Sequence, residues 1–443
     1  MADITLQYQQ TWTKGYQKSN WAMPIYPVIA DLQFTPGLQI GDTVNRRYRS
    51  NPIFANDLGS DGAYNPQNYT EGNETFTISK QKEASVYVAK PKILHTDLDV
   101  QKSYGTQLSN ALFQEIDGDT LRAIQAGAGQ TIDAGSFSGG TSGDGLAVSL
   151  NNIAQLPILA MEKFQGANVV YSNTKRFGKL PYEDYGGMLT WIVPPQVWSM
   201  IQLYMIARVT PAGDQAVTNG YVGMFGQFNV FVSNNLPFTA RLALSVNPTD
   251  GDTITIKGVT ITFKSTVDAG VTPGQVKIAS TVALTNTNLE AFLNAPTTTV
   301  ADSTNAGYNG FPSSATVSEG GYTIKKSDAL HGLSATAAST YTDIVMKGTG
   351  KVTVSSTFTS GSNLFTAAKQ QVHSIFTIAK NVSLAVRQDP EIYENPVNGK
   401  VGKDYVMWTV YDNKVFRDQA RASIDLAVLC SDSSFASYTN VHA

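Results

Sequence analysis

Trp191-Ile192-Val193-Pro194-Pro195-Gln196-Val197-Trp198 joins two elements of different period within a few residues. The run 188–193 is short, apolar and rich in β-branched and aromatic side chains, which fits a buried strand. Pro194-Pro195 then opens a helix, because proline at the first helical position has no amide hydrogen to lose and already holds the required φ. Val197, Trp198, Ile201, Tyr204 and Met205 fall on one face of that helix.

Moving toward the C-terminus, Gly226-Gln227-Phe228-Asn229-Val230-Phe231-Val232-Ser233-Asn234-Asn235-Leu236-Pro237 reads as a short buried strand closed by a polar turn. Trp408-Thr409-Val410-Tyr411-Asp412-Asn413-Lys414-Val415-Phe416 reads as a hairpin that turns at Asp412-Asn413. A helix is expected over 367–380. The stretch 419–429 should pack back on the earlier domain, since Ile424, Leu426, Val428 and Leu429 would otherwise be exposed.

Between these landmarks the composition changes. From Leu242 to Val386 arginine and tryptophan disappear, and threonine, serine and glycine take over, which marks 246–363 as a separate, mainly β module. Its signals are a hairpin at 253–263 around Lys257-Gly258 and a strand near 276–278. Thr287 to Glu290 fits a capping box, with Leu289, Phe292 and Leu293 at helical spacing, and further strands are expected at 322–325, 344–347 and 352–355.

Toward the N-terminus, 135–145 is glycine- and serine-rich and reads as a flexible connector. The segment 103–126 carries Tyr104, Leu108, Leu112, Ile116, Leu121 and Ile124 near helical spacing and predicts one helix of about 36 Å. Gly118 inside it costs about 1 kcal/mol relative to alanine, so packing must hold the helix. Of Glu115, Asp117 and Asp119 only Glu115 and Asp119 share a face, and the trio reads as a solvated surface rather than a metal site.

Residues 40–89 form a long hairpin with limbs at 43–48 and 75–78. Arg46, Arg47, Arg49, Lys80 and Lys82 lie on or near its limbs, and Asp57, Asp61, Glu71 and Glu74 lie toward its tip. Such a change of sign suits docking to a neighbour by complementary charge, or simply keeps the hairpin solvated. The first forty residues hold Trp12, Tyr16, Trp21, Pro24, Tyr26, Pro27 and Pro36 without a period. They form an extended arm that lies on another body or on its own domain.

Forty-two per cent hydrophobic residues and 15% charged in 443 residues exclude a disordered chain, and a net charge of -3 excludes a strongly basic nucleic-acid glove. Cys430 is the single cysteine, which excludes a disulfide framework and predicts a buried thiol. Neither a basic leader with an apolar run nor a membrane-length apolar stretch is present. His95, His331, His373 and His442 are dispersed, so no catalytic zinc is expected. Gly348-Thr349-Gly350-Lys351 fails as a phosphate loop, with Val345 and Val352 where glycine and a hydroxyl are needed. Ser142 lacks a second glycine, and Ser172 with Lys175 lacks the companion motifs of serine acylases. No catalytic residue, metal or cofactor is therefore named.

The three quoted stretches follow an aromatic arm, a charged hairpin, a long helix and a glycine-rich connector. In that order they resemble the major capsid proteins of tailed bacteriophages, of the Hong Kong ninety-seven type. The resemblance covers the chain apart from 246–363. It implies an α+β fold with an N-terminal arm (1–39), an extended hairpin loop (40–90) and a peripheral domain with a long spine helix (91–147). An axial domain in two parts (148–245 and 364–400) and a return to the peripheral domain (401–443) follow. The inserted β-rich domain (246–363) would sit on the outer surface.

The implied function is a non-enzymatic subunit of an icosahedral virion capsid, made in the bacterial host cytoplasm and enclosing double-stranded DNA. Implied partners are other copies of the chain in hexamers and pentamers, a separate scaffolding protein, a portal, a decoration protein and packaged DNA held by weak nonspecific contacts, with no membrane. Trp12, Trp21, Arg46, Arg47, Arg49, Asp57, Asp61, Glu71, Glu74, Lys80 and Lys82 are the candidate inter-subunit contacts. Some relatives join a hairpin lysine to a neighbour's asparagine, but no motif here identifies the asparagine, and no crosslink is assigned. A phage tail-tube or surface-layer protein is the alternative suggested by the threonine-rich module. The long helix counts against the tube, and the lack of an export signal against the layer.

Overall fold

The computed structural model describes residues 24–32, 43–49, 55–57, 64, 66–67, 71–89, 100–167, 169, 188–206, 223–268, 270–319, 322–348, 352–397 and 401–430. Trp12, Tyr16, Trp21, Pro36, Asp61, His95, Ser172, Lys175, His442 and residues 349–351 lie outside them.

The hairpin forms as its sequence predicts. Thr43–Arg49 (β1) and Glu71–Thr77 (β2) pair antiparallel, from Thr43 opposite Thr77 to Arg49 opposite Glu71. Alternation along β2 exposes Thr75 and Thr77 and buries Phe76 between them. Lys80–Ala89 (β3) then runs antiparallel to Gly402–Lys414 in a second sheet. The predicted helix spans Val100–Gly127 (α1). Its N-terminal half packs Leu108 and Leu112 against Val88, Tyr405 and Met407, while Ile116, Leu121 and Ile124 join the main core. Gly118 is explained by packing: a Cβ there would sit 3.0 Å from the Gly348 Cα. The helix gives up local propensity so that another backbone can approach it.

The glycine-rich connector is not open chain. Asp133 accepts hydrogen bonds from the Gly143 amide (2.5 Å) and the Ser142 hydroxyl (3.4 Å), and the Gly145 amide donates to the Ala368 carbonyl at 2.8 Å. A Cβ on Gly140 would lie 1.9 Å from the Ala134 carbonyl oxygen. The glycines serve close backbone approach within a folded loop rather than freedom.

Gln155–Gly166 (α2), Leu189–Val193 (β4), Pro195–Ile206 (α3), Phe228–Val232 (β5) and Phe238–Ala243 (β6) follow. Pro195 starts α3 as the sequence predicts, and Val197, Met200 and Ile201 face inward. Trp191 stacks on Phe376 (4.6 Å, 16°) and donates its indole N–H to the Ser374 hydroxyl at 2.9 Å, which in turn donates to the Ile192 carbonyl. Its polar atom is thus satisfied where the ring is fully buried.

The segment 246–363, expected to be a separate module, begins with Thr253–Ile256 (β7) and Val259–Lys264 (β8), joined at Lys257 and Gly258 with φ of 49° and 76°. Two positive φ values make the right-handed two-residue hairpin turn. Gln275–Lys277 (β9) is followed by the helix Val282–Asn294 (α4), which starts at Thr281. The Thr281 hydroxyl accepts from the Leu284 amide, so the predicted capping box at Thr287 lies inside the helix rather than at its end. Leu333–Ala337 (β10), Tyr341–Met346 (β11) and Val354–Thr357 (β12) complete the segment. Strands β7, β8, β9 and β12 belong to a five-stranded sheet with Tyr308–Asn309. In contrast, β10 and β11 extend the parent sheet, with β11 pairing along the whole of β6.

The helix expected over 367–380 is instead a short turn at Ala367–Lys369 followed by the strand Gln371–Ile378 (β13). Every residue of β13 is buried, and a short apolar run without alternation does not distinguish strand from helix. Val382–Pro396 (β14) was not anticipated; it pairs with Gly402–Lys414 (β15), which runs straight through the expected turn at Asp412-Asn413. Ser423–Leu429 (β16) returns to pair with β13, covering Ile424, Leu426 and Val428 as predicted. One sheet of ten strands carries β4, β5, β6, β10, β11, β13 and β16, and a four-stranded sheet carries β14, β15 and β3.

Candidate assembly elements

The hairpin is braced at its root by its own chain. Phe76 meets Phe416 edge to face at 5.9 Å, and Lys414 Nζ donates to the Thr75 carbonyl at 2.6 Å. The Arg46 guanidinium lies over the Phe416 ring (5.0 Å) and pairs with Asp418 at 2.7 Å. Glu74 accepts from the Arg417 amide at 3.1 Å.

Lys80 and Lys82 turn toward α1. Lys82 Nζ lies 2.8 Å from Glu115, and Lys80 Nζ lies 3.5 Å from Asp119 and donates to Asn413 Oδ1 at 3.2 Å. Arg47, Asp57 and Glu71 are exposed. Of the other candidate contacts, Trp12, Trp21 and Asp61 lie outside the described residues, and Arg49 is placed only as the end of β1.

Where the sequence suggests a solvated acidic face, the structure has an ion cluster. Asp117 is fully buried and accepts from the Ile25 and Tyr26 amides, both at 2.7 Å, and from Asn235 Nδ2 at 2.8 Å. Residues 24–32 of the predicted arm are thereby tied to their own chain, and Ala30–Asp31 adds a short parallel strand beside β14. Lys347 Nζ sits between Glu115 (2.7 Å) and Asp119 (2.5 Å), and Tyr411 donates its hydroxyl to Asp119 at 2.6 Å.

Burial alone raises both carboxyls. For Glu115 the His331 hydrogen bond and the Lys347 charge overcome it and hold the group well below its usual range. For Asp119 the charges of Lys347 and Lys80 do the same. Asp117 has hydrogen bonds but no cation, so burial prevails and its carboxyl is pushed up. Lys347 is raised because the two carboxylates outweigh its own desolvation.

A second polar group sits inside the main sheet. His373 Nδ1 donates to Asp425 (2.9 Å), and its Nε2 is 2.8 Å from the Thr239 hydroxyl. Thr239 is mid-strand, paired with Val345 on one side and Gln371 on the other, so the trio ties β6 to β13 and β16. Neither group was legible in the sequence, because the partners lie far apart along the chain. Among the described residues no three His, Cys, Asp or Glu side chains gather to hold a metal, and no helix is long and apolar enough to cross a membrane.

No family model and no curated protein matches the chain. Solved structures do. A chain from Mycobacterium phage Che8 is 8% identical over 94% of this chain and 96% of its own, with a TM-score of 0.50. A chain of the capsid structure of the cyanophage P-SCSP1u is 11% identical over 96% and 94%, also with a TM-score of 0.50. The chain thus shares its mixed helix-and-strand fold with chains of two phage structures, one of them a capsid structure.

Proposed function

We propose that the chain is the major capsid subunit of a tailed phage, assembling with other copies into hexamers and pentamers of an icosahedral shell around double-stranded DNA. The observation that carries this reading is the capsid-type fold, matched from end to end rather than over one domain. A hairpin held firmly at its root and exposed beyond it fits the role. Arg46, Glu74, Lys80 and Lys82 set its direction, while Arg47, Asp57 and Glu71 present charge to a neighbour. Each stable interface buries more than about 1,000 Å². A separate scaffolding protein, a portal and a decoration protein are the further partners. The net charge of -3 keeps contact with packaged DNA weak and nonspecific. The chain is made in the host cytoplasm and resides in the virion shell.

Negative-stain microscopy of the expressed chain, alone and with a scaffolding partner, tests the proposal. Closed shells are expected. Stacked rings would assign it to a tube, planar lattices to a surface layer, and a monomer under every condition would refute assembly altogether.

A further inference from the structure

A cavity of about 260 Å³ opens where β3, α1 and the β10–β11 hairpin meet. Lys82, Arg122, His331 and Lys347 line it, with Leu333 and Val345 between them, and no carboxylate is among the described residues of its wall. Three of these basic side chains are answered from behind, since Glu115 lies 2.8 Å from Lys82, 2.7 Å from Lys347 and 3.2 Å from His331. Arg122 is not. Its guanidinium donates to the neutral amide oxygen of Gln125, and among the described residues it makes no ion pair. Burial pushes its pKa down, and the charge of Asp425 opposes this only in part.

A half-buried cation whose hydrogen-bond partner is neutral is costly, and a bound anion reduces that cost. Guanidinium has a planar fork of donors matched to oxyanions, and one of those donors is used by Gln125. At about 30 Å³ per water, the cavity has room for a small oxyanion with part of its hydration.

We propose that this cavity binds a free oxyanion of the phosphate class, gripped by the Arg122 fork and flanked by Lys82, Lys347 and His331. The bound ion bridges the strand after the hairpin, the long helix and the edge of the main sheet, and so fixes their relative placement. The proposal does not depend on the capsid reading, because binding is measured on the subunit whether or not shells form.

The probe is inorganic phosphate, titrated into the full chain against chloride at matched ionic strength, with thermal unfolding and phosphorus NMR linewidth as readouts. Phosphate should raise the midpoint saturably where chloride does not. Arg122→Gln should weaken the apparent affinity about tenfold or more, and Lys82→Gln, at a 31% exposed side chain, about threefold. Should Arg122→Gln fail to fold, the Lys82 variant still decides. A phosphate effect that is absent in the unaltered chain, or unchanged in the variants that fold, overturns the site. Displacement of phosphate by a duplex oligonucleotide would assign the contact to nucleic-acid backbone and overturn the free-ion reading; failure to displace it supports the proposal.

Discussion

Lys347 is the residue on which the acidic face of the long helix depends. Glu115 and Asp119 were legible as same-face carboxylates from the helical period alone, and Asp117 was rightly set apart from them. Their burial was not legible, because the cation between them lies 232 residues away from Glu115 and is brought there by the end of β11. The signs of the shifts set the pH response. Glu115 and Asp119 are lowered from 4.5 and 3.8, so their stabilising contribution is present above those values and lost as pH falls through the lower folded ones. Lys347 is raised from 10.5, so its contribution is present below that value and lost as pH rises through the folded one. Asp117, raised from 3.8, acts in the opposite sense to the other acids: its contribution is lost as pH rises through its folded value. Lys347→Met removes the cation shared by the two carboxylates but leaves Glu115 with Lys82 and Asp119 with Lys80, and should cost about 1.5–3 kcal/mol at pH 7. The loss should shrink near pH 4, where those carboxyls take up protons in the variant. Urea unfolding at both pH values checks this, and an equal loss at each would show that packing, not charge, is what Lys347 supplies.

Elements were legible where local chemistry determined them, and misread where tertiary pairing overrode it. The proline start of α3, the Lys257-Gly258 turn and the hairpin limbs depend on backbone preferences within a few residues. Asp412-Asn413 looks like a turn, yet it lies in β15 because its side chains are used sideways: Asp412 accepts from the Ser79 amide and hydroxyl, and Asn413 accepts from Lys80. The same distinction between local and tertiary terms ranks the contacts at the hairpin root. Phe416 is 1% exposed and packs on Phe76, so Phe416→Ala should cost about 3–5 kcal/mol. Asp418 is 52% exposed in its pair with Arg46, and Asp418→Ala should cost less than about 1 kcal/mol. The reverse ranking in denaturant unfolding would mean that charge, not the buried ring, holds the hairpin. For α1, Gly118→Val drives a branched side chain into the Gly348 backbone and should destabilise by about 1–3 kcal/mol, although valine is the better helix former. A variant as stable as the parent would show that the Gly348 turn yields freely.

At the scale of the whole molecule the question is whether 246–363 is a removable graft. Its ends lie side by side. The Ser245 and Val246 amides both donate to Asn363 Oδ1 (2.9 and 3.2 Å), and Asn363 Nδ2 donates back to the Val246 carbonyl, so entry and exit are clasped together. The arginine-free stretch begins near this clasp, after Arg241, but runs on to Val386, well past Asn363. Composition could not show that β10 and β11 leave the module and finish the parent sheet, a matter of pairing between distant strands. Opposite them on β6 stand Ala240 and Leu242, buried in a core that also holds Ile254, Phe263 and Phe292 from the module. Joining 245 to 364 by a short glycine-serine bridge therefore closes the chain without strain, yet strips that face of β6 bare. The expected product is aggregation-prone, with a lower unfolding midpoint than the parent. In the intact chain, hydrogen exchange should place the amides of β11 in the same slow class as those of β6 and β13, not with β7 and β8, because one sheet opens as a unit. An excised chain that is soluble, monodisperse and unchanged in midpoint would mean that the sheet ends at β6 and that the shared core contributes nothing to the parent fold.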